Sequence, residues 1–156
     1  MTIYLVQHGK AKTKQEDPER PLNNEGIAET NTVLQFLKKQ NVKVVSIIHS
    51  GKLRAENTAE ILLEGLSSEN GLIRMNGLNP NDDVSMVYNF IVKQDKDYMF
   101  VGHLPFMNKL SSLLLTGSEN LKLVQFKNSC IVCFKKENNE DNFTLNWMVY
   151  PELLQR

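Results

Sequence analysis

The sequence carries no excess of charge of either sign. Its 18 lysine and arginine residues balance 18 aspartate and glutamate residues, so the formal net charge at pH 7 is zero. Binding to nucleic acid or to an anionic membrane through bulk electrostatics needs a basic excess. We therefore expect neither nucleic acid nor membrane among the partners. Any preference for an anion must come from a local arrangement of charges.

Long apolar segments are also missing. No run approaches the roughly 20 residues that cross a bilayer. Met1–Tyr4 leads directly into an apolar segment, without the charged region and cleavage site of a secretory signal. We expect a cytoplasmic protein. A single domain over residues 1–156 is long enough to bury about two thirds of its unfolded surface without disulfide bonds.

Cysteines are scarce. The only two, Cys130 and Cys133, have the spacing of metal and redox motifs. However, Ile131–Phe134 is predicted to be a strand, in which residues three apart point to opposite faces. The sequence also offers no second pair of zinc ligands. We interpret both residues as reduced thiols in a sheet, and we expect neither a metal nor a cofactor.

What the sequence does contain is a set of apolar segments that end at histidine. Three strands are predicted on this basis: Ile3–Val6 before His8, Val42–Ile48 before His49, and Tyr98–Val101 before His103. Crossover connections make such strands parallel and bring their carboxyl ends to one edge of the sheet. Ligands of open α/β sheets bind at that edge.

The segments between these strands have helical spacing. Four helices are predicted by their apolar positions: Ile27, Val33, Leu34 and Leu37, capped by Asn23 or Asn24; Ala55, Ala59, Leu62 and Leu66, capped by Ser50; Val84, Val87, Tyr88 and Ile91; and Met107, Leu110, Leu113 and Leu114. Four further strands are predicted over Leu72–Met75, Leu121–Phe126, Ser129–Lys135 and Phe143–Tyr150. The pattern predicts a single-domain α/β three-layer sandwich, with a mostly parallel sheet flanked by helices and a C-terminal antiparallel strand meander.

Two arginines lie close to these strand ends. Arg20 stands in a polar loop, where Pro21 favours an extended backbone at Arg20 and Leu22 is expected to anchor the loop. From the residues alone, Arg20 is either a fixed anion contact or a solvated loop charge. Arg54 lies about one turn into the helix after Ser50, where it adds to the positive end of the helix dipole.

Together these residues indicate phosphoryl chemistry. His8, His103, Arg20 and Arg54 are expected to converge on one crevice. Arginine offers a fixed fork of donors to phosphate oxygens, and a neutral imidazole can attack phosphorus. His49 shares a strand face with the apolar Ile47, so we interpret it as structural.

The motifs resemble those of the histidine phosphatase superfamily, and within it the short SixA-type phosphohistidine phosphatases. They are Gln7-His8-Gly9, Arg20-Pro21-Leu22, Ser50-x-x-x-Arg54-Ala55-x-x-Thr58 and Gly102-His103-Leu104-Pro105. The resemblance implies that His8 is a transiently phosphorylated nucleophile. It also implies that Arg20, Arg54 and His103 bind the phosphoryl group and stabilise its transition state without a metal.

One position departs from the family pattern. Gln7 stands where the family usually has arginine, and it lacks that residue's charge and bidentate fork. Two hypotheses follow: a phosphatase acting on phosphohistidine in a protein or on a small phosphorylated substrate, and a phospho-ligand binding module with little turnover. A flavodoxin-like nucleotide binder is disfavoured because the glycine-rich phosphate loop is missing. No family motif identifies a general acid, and the short chain favours an exposed phosphohistidine.

Overall fold

The computed structural model describes residues 1–155, and its centre is a six-stranded sheet. The strands are β1 (Thr2–Gln7), β2 (Lys43–Val44), β3 (Ile47–His49), β4 (Ser67–Ser68), β5 (Leu72–Arg74), β6 (Tyr98–Gly102), β7 (Ile131–Lys135) and β8 (Thr144–Val149). The helices are α1 (Asn24–Gln40), α2 (Leu53–Leu63), α3 (Ser85–Val92), α4 (Phe106–Thr116) and α5 (Pro151–Leu154).

The strand order of the main sheet is β5-β3-β6-β1-β7-β8. The pairs β5–β3, β3–β6 and β6–β1 are parallel, whereas β7 runs antiparallel to β1 and β8 antiparallel to β7. The three strands that precede histidines are therefore neighbours, and their carboxyl ends lie at one edge. This confirms the predicted α/β class, with a mostly parallel sheet and an antiparallel C-terminal part.

Helices cover both faces of the sheet. Along β1, Ile3 and Leu5 pack with residues of α3 and α4, whereas Tyr4 and Val6 pack with residues of α1 and α2. This alternation follows from the two-residue period of a strand. Each large apolar side chain buried in this way contributes about 1.5–3 kcal/mol. The three-layer arrangement is confirmed.

Helix α1 is defined by asparagines at both ends. The side chain of Asn23 accepts a hydrogen bond from the backbone N–H of Gly26 at 2.7 Å, and Asn41 ends the helix in the left-handed conformation. One expected core position is wrong. Ile27 is 43% exposed, because the buried stripe of the helix runs instead through Thr30, Val33, Leu34 and Leu37.

Two predicted strands differ from the structure. The segment Val42–Ile48 divides into β2, which pairs with β4 in a small separate sheet, and β3 in the main sheet. Leu121–Phe126 is not a strand: Val124 and Phe126 are buried while Leu121 and Leu123 are exposed, yet within residues 1–155 the segment has no partner strand. Its alternating pattern comes from a loop lying over the core beside α4, where the Leu121 N–H donates to the hydroxyl of Ser112.

The two cysteines lie on opposite faces of the sheet as predicted, although Cys130 directly precedes β7 and is not part of the strand. Cys130 packs in the cluster beside α3 and α4, Cys133 packs in the cluster on the opposite face, and both are free thiols. Burial raises the pKa of each thiol to about 11. Neither is poised as a thiolate. Among residues 1–155, no helix has the length and apolar character needed to span a membrane.

Candidate active site

His8 and His103 lie next to each other at the carboxyl edge of the sheet. Strand β1 ends at Gln7 and β6 ends at Gly102, and these two residues are paired in the parallel ladder. The next residue on each strand is a histidine. The two ring centroids are 5.0 Å apart. The backbone N–H of His8 donates to the Gly102 carbonyl at 3.0 Å.

The proton on the His8 ring has a defined position. Its Nδ1 lies 2.6 Å from the Gly9 carbonyl oxygen, which can only accept a hydrogen bond. Nδ1 therefore carries the hydrogen and Nε2 carries the lone pair. Burial, followed by the charges of Arg54 and Arg20, lowers the pKa of His8 to about 4, although the bond to Gly9 acts in the opposite direction. At neutral pH, Nε2 is a free nucleophilic nitrogen.

The backbone that carries His8 is held from several sides. The N–H of Ser129 lies 3.1 Å from the Gln7 carbonyl and 3.3 Å from the His8 carbonyl, and Asn128 Nδ2 donates to the His8 carbonyl at 3.0 Å. On the other side, the Gly9 N–H donates to Thr58 Oγ1 at 2.9 Å. Ser129 has a positive φ of 60°, a conformation that non-glycine residues adopt at some cost. The backbone that positions the His8 ring is thus strongly constrained.

Arg54 approaches the histidines from α2. It lies in the first turn of the helix, and its Nε is buried without a hydrogen-bond partner. Burial and the neighbouring Arg20 lower the pKa of Arg54. An anion between these groups would satisfy the unpaired donor.

Arg20 is fixed by its loop. Its Nε donates to the Lys12 carbonyl at 3.0 Å, the Lys12 N–H donates to the Pro21 carbonyl at 2.8 Å, and Leu22 is buried as expected. The expected extended backbone is wrong, because Arg20 has a φ of 51°. Strained non-glycine residues of this kind concentrate at functional sites. The Arg20 side chain is therefore fixed rather than freely solvated, and its contact with an anion stays a prediction.

The electrostatic environment of the two rings is positive. The pKa of His103 is lowered to about 3, chiefly by burial and then by His8, Arg54, Lys52 and Arg20. Among residues 1–155, no carboxylate is found in the set of groups that shift the pKa of either His8 or His103. Asp82 and Asp83 instead accept hydrogen bonds from backbone N–H groups of their own loop. The arrangement is suited to an anion, and both imidazoles are neutral when the site is empty.

Unpaired buried polar atoms concentrate in these residues. Within residues 1–155, six buried side-chain polar atoms have no hydrogen-bond partner, and they include Gln7 Oε1, Arg54 Nε and His103 Nδ1. Gln7 is only 7% exposed. Such atoms are uncommon in folded proteins and each needs an explanation. Their concentration beside His8 is consistent with a ligand that completes their hydrogen bonding.

The sequence does not predict the observed roles of several residues of this site. Ser50, expected to cap α2, instead places its hydroxyl 2.7 Å from His103 Nε2, and the N-cap of α2 is Lys52, without a side-chain hydrogen bond. For Asn128 and Ser129 the sequence shows only a turn before a strand. Thr58 belongs to the motif that starts at Ser50, but its contact with Gly9 depends on the packing of α2 against β1.

His49 lies at the same edge but in different surroundings. It is 5% exposed, its Nδ1 accepts from the Gly51 N–H at 3.2 Å, and its pKa is lowered mainly by burial. The other charges that act on it are Glu56, Glu60 and Arg74, none of which acts on His8. In residues 1–155, no three His, Cys, Asp or Glu side chains cluster as a metal site would require.

A sheet of this topology with two facing histidines and two arginines at its carboxyl edge defines a class of protein. The family model for the histidine phosphatase superfamily (branch 1) matches residues 3–78. Over this part of its length the chain is similar to the histidine phosphatase superfamily.

Within that superfamily the similarity is to SixA-type proteins. It is 26% identical to the phosphohistidine phosphatase SixA of Escherichia coli K12, over 97% of this chain and 94% of that relative. A structure of the protein histidine phosphatase SixA complexed with tungstate superposes with a TM-score of 0.86 at 26% identity, covering 99% of this chain and all of that chain. This homology supports a phosphatase.

The same fold also occurs in more distant proteins. A phosphoserine phosphatase of Entamoeba histolytica, in complex with phosphoserine, has a TM-score of 0.69 at 15% identity, over 94% of this chain and 95% of that chain. At this level of identity the similarity shows the fold alone. The substrate class depends on the residues of the site.

Proposed function

We propose that this protein is a phosphohistidine phosphatase that works through a phosphorylated His8. The main support for this proposal is the state of the His8 ring: the Gly9 carbonyl, 2.6 Å away, holds the proton on Nδ1 and leaves Nε2 free. His103, Arg20 and Arg54 surround it with groups that suit a phosphoryl anion. In this proposal His8 and His103 are catalytic, and Gln7, Arg20 and Arg54 bind phosphate.

In the first step, the lone pair on His8 Nε2 attacks the phosphorus of the substrate. A bond forms between Nε2 and phosphorus, and the bond between phosphorus and the leaving nitrogen breaks with its electron pair going to that nitrogen. Arg20 and Arg54 neutralise the phosphoryl oxygens, and their fork of donors is fixed before the substrate arrives. The loop hydrogen bond to Lys12 and the position of Arg54 in α2 provide this fixed arrangement.

In the second step, water attacks the phosphorus of phospho-His8. The phosphorus–nitrogen bond breaks, Nε2 recovers its electron pair, and inorganic phosphate leaves with the oxygen of the water. One proton of that water stays on its oxygen in the phosphate, and the other passes to solvent or to another phosphate oxygen. The bond from His8 Nδ1 to Gly9 keeps the ring in one tautomer throughout the cycle.

The choice of phosphohistidine is supported by the groups that shift the pKa of the two rings, which include no carboxylate among residues 1–155. An alkoxide leaving group needs a proton from the enzyme, whereas the nitrogen of a phosphoramidate can take its proton from solvent before it leaves. The names of the SixA relatives agree with this substrate class. We propose a phosphohistidine exposed on a protein, hydrolysed without a metal.

The test compares wild type with His8→Ala and with His49→Asn, which changes the third histidine at the same sheet edge. A protein phosphorylated on histidine is the substrate, and p-nitrophenyl phosphate is a second probe. We expect wild type and His49→Asn to turn over in the presence of a chelator and to form an acid-labile phosphoenzyme. His8→Ala should do neither while keeping its circular dichroism spectrum.

Three results contradict the proposal. Normal turnover by His8→Ala would assign the nucleophile elsewhere. Activity that disappears in chelator and returns with a divalent cation would refute the metal-independent mechanism. Tight phosphate binding without turnover or phosphoenzyme would support the alternative, a phospho-ligand binding module in which Gln7 replaces the usual arginine.

A further inference from the structure

Ser50 joins two strand ends beside the site. It follows β3 directly and is 5% exposed. Its Oγ lies 2.7 Å from Nε2 of His103, which follows β6, and 3.3 Å from the backbone nitrogen of Lys52. The hydroxyl therefore links the ring of His103 to the turn that starts α2.

The proton count of the hydroxyl determines the direction of these bonds. A serine hydroxyl has one hydrogen to donate and two lone pairs that accept. The backbone N–H of Lys52 can only donate, so Oγ accepts there. Among residues 1–155, the single hydroxyl hydrogen then has one acceptor in contact, the Nε2 of His103.

The alternative tautomer leaves more groups unpaired. If Nε2 carried the proton, it would donate to Oγ, and both the serine hydrogen and the bare His103 Nδ1 would lack partners. With the proton on Nδ1, the only unpaired group is that N–H. Each unpaired buried donor or acceptor is destabilising, so the arrangement with fewer of them, with the proton on Nδ1, is favoured.

We propose that Ser50 is a positioning residue for His103: its hydroxyl donates to Nε2, fixes the plane of the ring and keeps the ring proton on Nδ1. His103 and His8 then share one tautomer, because the Gly9 carbonyl holds the proton of His8 on Nδ1 as well. The catalytic consequence rests on the proposed phosphatase function, but the tautomer does not. Loss of Ser50 frees the His103 ring to rotate beside the nucleophile, 5.0 Å away.

The experiment uses protein labelled with ¹⁵N-histidine, whose three histidines give resolvable ring nitrogens near neutral pH. We expect the His103 signals, identified by their loss in His103→Gln, to show a protonated Nδ1 and an unprotonated Nε2. In Ser50→Ala this pattern should change to a mixture of tautomers or to a protonated Nε2. Ser50→Thr keeps a hydroxyl and should restore the wild-type pattern.

Turnover gives the second measurement. We expect Ser50→Ala to lower kcat by about tenfold to a hundredfold with a smaller change in KM, because misplaced catalytic groups lose rate in this range. Ser50→Thr should recover most of that loss. Ser46→Ala is the matched control: Ser46 is fully buried in the same segment, and its hydroxyl has no partner in residues 1–155.

A wild-type His103 with its proton on Nε2 would overturn the proposal, as would a Ser50→Ala variant with unchanged tautomer and kcat. An equal loss in Ser46→Ala would show that the effect comes from packing. If no variant and no wild type turns over phosphohistidine, the phosphatase proposal fails while the nitrogen signals still decide the role of Ser50. Should Ser50→Ala fail to fold, the wild-type signals and Ser50→Thr decide it.

Discussion

His8 and His103 combine burial with a positive neighbourhood, and both effects favour the neutral ring. The pKa of His8 is lowered to about 4 and that of His103 to about 3. We expect neither ring to titrate between pH 5 and pH 8 in the unliganded protein. Proton NMR of the ring Cε1–H signals measures this directly.

Bound phosphate should raise both pKa values, because an anion next to a ring favours its charged form. A His8 signal that titrates near pH 6.5 in the free protein would contradict the electrostatic description of the site. The His49 signal is an internal comparison, since its pKa is also lowered by burial but no site residue acts on it.

Arg54 is expected to hold the phosphoryl group directly, because its Nε is buried without a partner. Arg54→Ala should weaken vanadate binding by about 2 kcal/mol or more, the range for removing one charge-assisted contact. Arg74→Ala is the matched control, because Arg74 ends β5 at the same sheet edge but is exposed and acts on His49. The competitive inhibition constant of vanadate, determined for each variant, measures the affinity. Equal affinity in wild type and Arg54→Ala would place Arg54 outside the site.

Gln7 is the one motif position at which this chain differs from the histidine phosphatase pattern that it resembles. Gln7→Arg should raise kcat by about tenfold, because a fixed cation stabilises charge that redistributes in the transition state. Steady-state kinetics on p-nitrophenyl phosphate measures the change. An unchanged or lower kcat with normal vanadate binding would show a pocket rebuilt around the neutral amide, in which Gln7 Oε1 is now unpaired.

Among the helices and strands, the features predicted correctly from the sequence are those that depend on local periodicity and capping. The strands before His8 and His103, the helix capped by Asn23, and the opposite faces of Cys130 and Cys133 all follow from periodicity and capping. The strands before His8 and His103 end at the same edge of the sheet because crossover connections have a fixed handedness. The site residues could be placed together for the same reason.

What could not be predicted depends on pairing between distant segments. Leu121–Phe126 has a strand-like alternation, but a strand also needs a partner, and none lies beside it. The hydroxyl of Ser50 could cap α2, yet it contacts His103, 53 positions further along the chain. Asn128 and Ser129 reach the His8 backbone only because β7 pairs with β1.

The start of α1 is fitted closely against the loop that follows His8. A Cβ on Gly26 would lie 2.1 Å from the Lys10 carbonyl oxygen, a backbone atom that also accepts from the Asn23 N–H at 3.0 Å. Gly26→Ala should therefore shift the chain after His8, destabilise the fold by about 1–3 kcal/mol and lower kcat. Urea unfolding and turnover measure the two effects.

Gly65→Ala is the matched control for this substitution. The nearest atom to its added Cβ is the tip of the flexible Leu34 side chain, at 2.3 Å, which can move aside. We expect a smaller loss of stability and an unchanged kcat. If Gly26→Ala is as stable and active as wild type, the contact between α1 and the loop is looser than described.

At the scale of the whole molecule, a neutral net charge conceals an uneven distribution. The formal charge is zero, yet the charges that act on His8 and His103 are all positive. We therefore expect phosphate to bind locally at this sheet edge, and the rest of the chain, whose charges sum to a negative value, offers no general attraction for polyanions. The unliganded fold keeps two buried histidines uncharged, which links its stability to pH.

The sign of that dependence follows from proton uptake. Between pH 6.5 and the lowered pKa values of about 4 and 3, the unfolded chain binds protons at His8 and His103 that the folded chain does not. The free energy of unfolding should fall with decreasing pH in this window, by about 2 kcal/mol for His103 between pH 7.5 and pH 5. Urea unfolding at pH 7.5 and pH 5 measures this change, and both pH values lie above the range in which most carboxylates titrate. In His103→Gln the loss should shrink, whereas phosphate at 100 times its dissociation constant should stabilise wild type by about 2.7 kcal/mol. Equal stability of wild type at both pH values would show that His8 and His103 are solvated, and it would remove the physical basis for an uncharged nucleophile at this edge of the sheet.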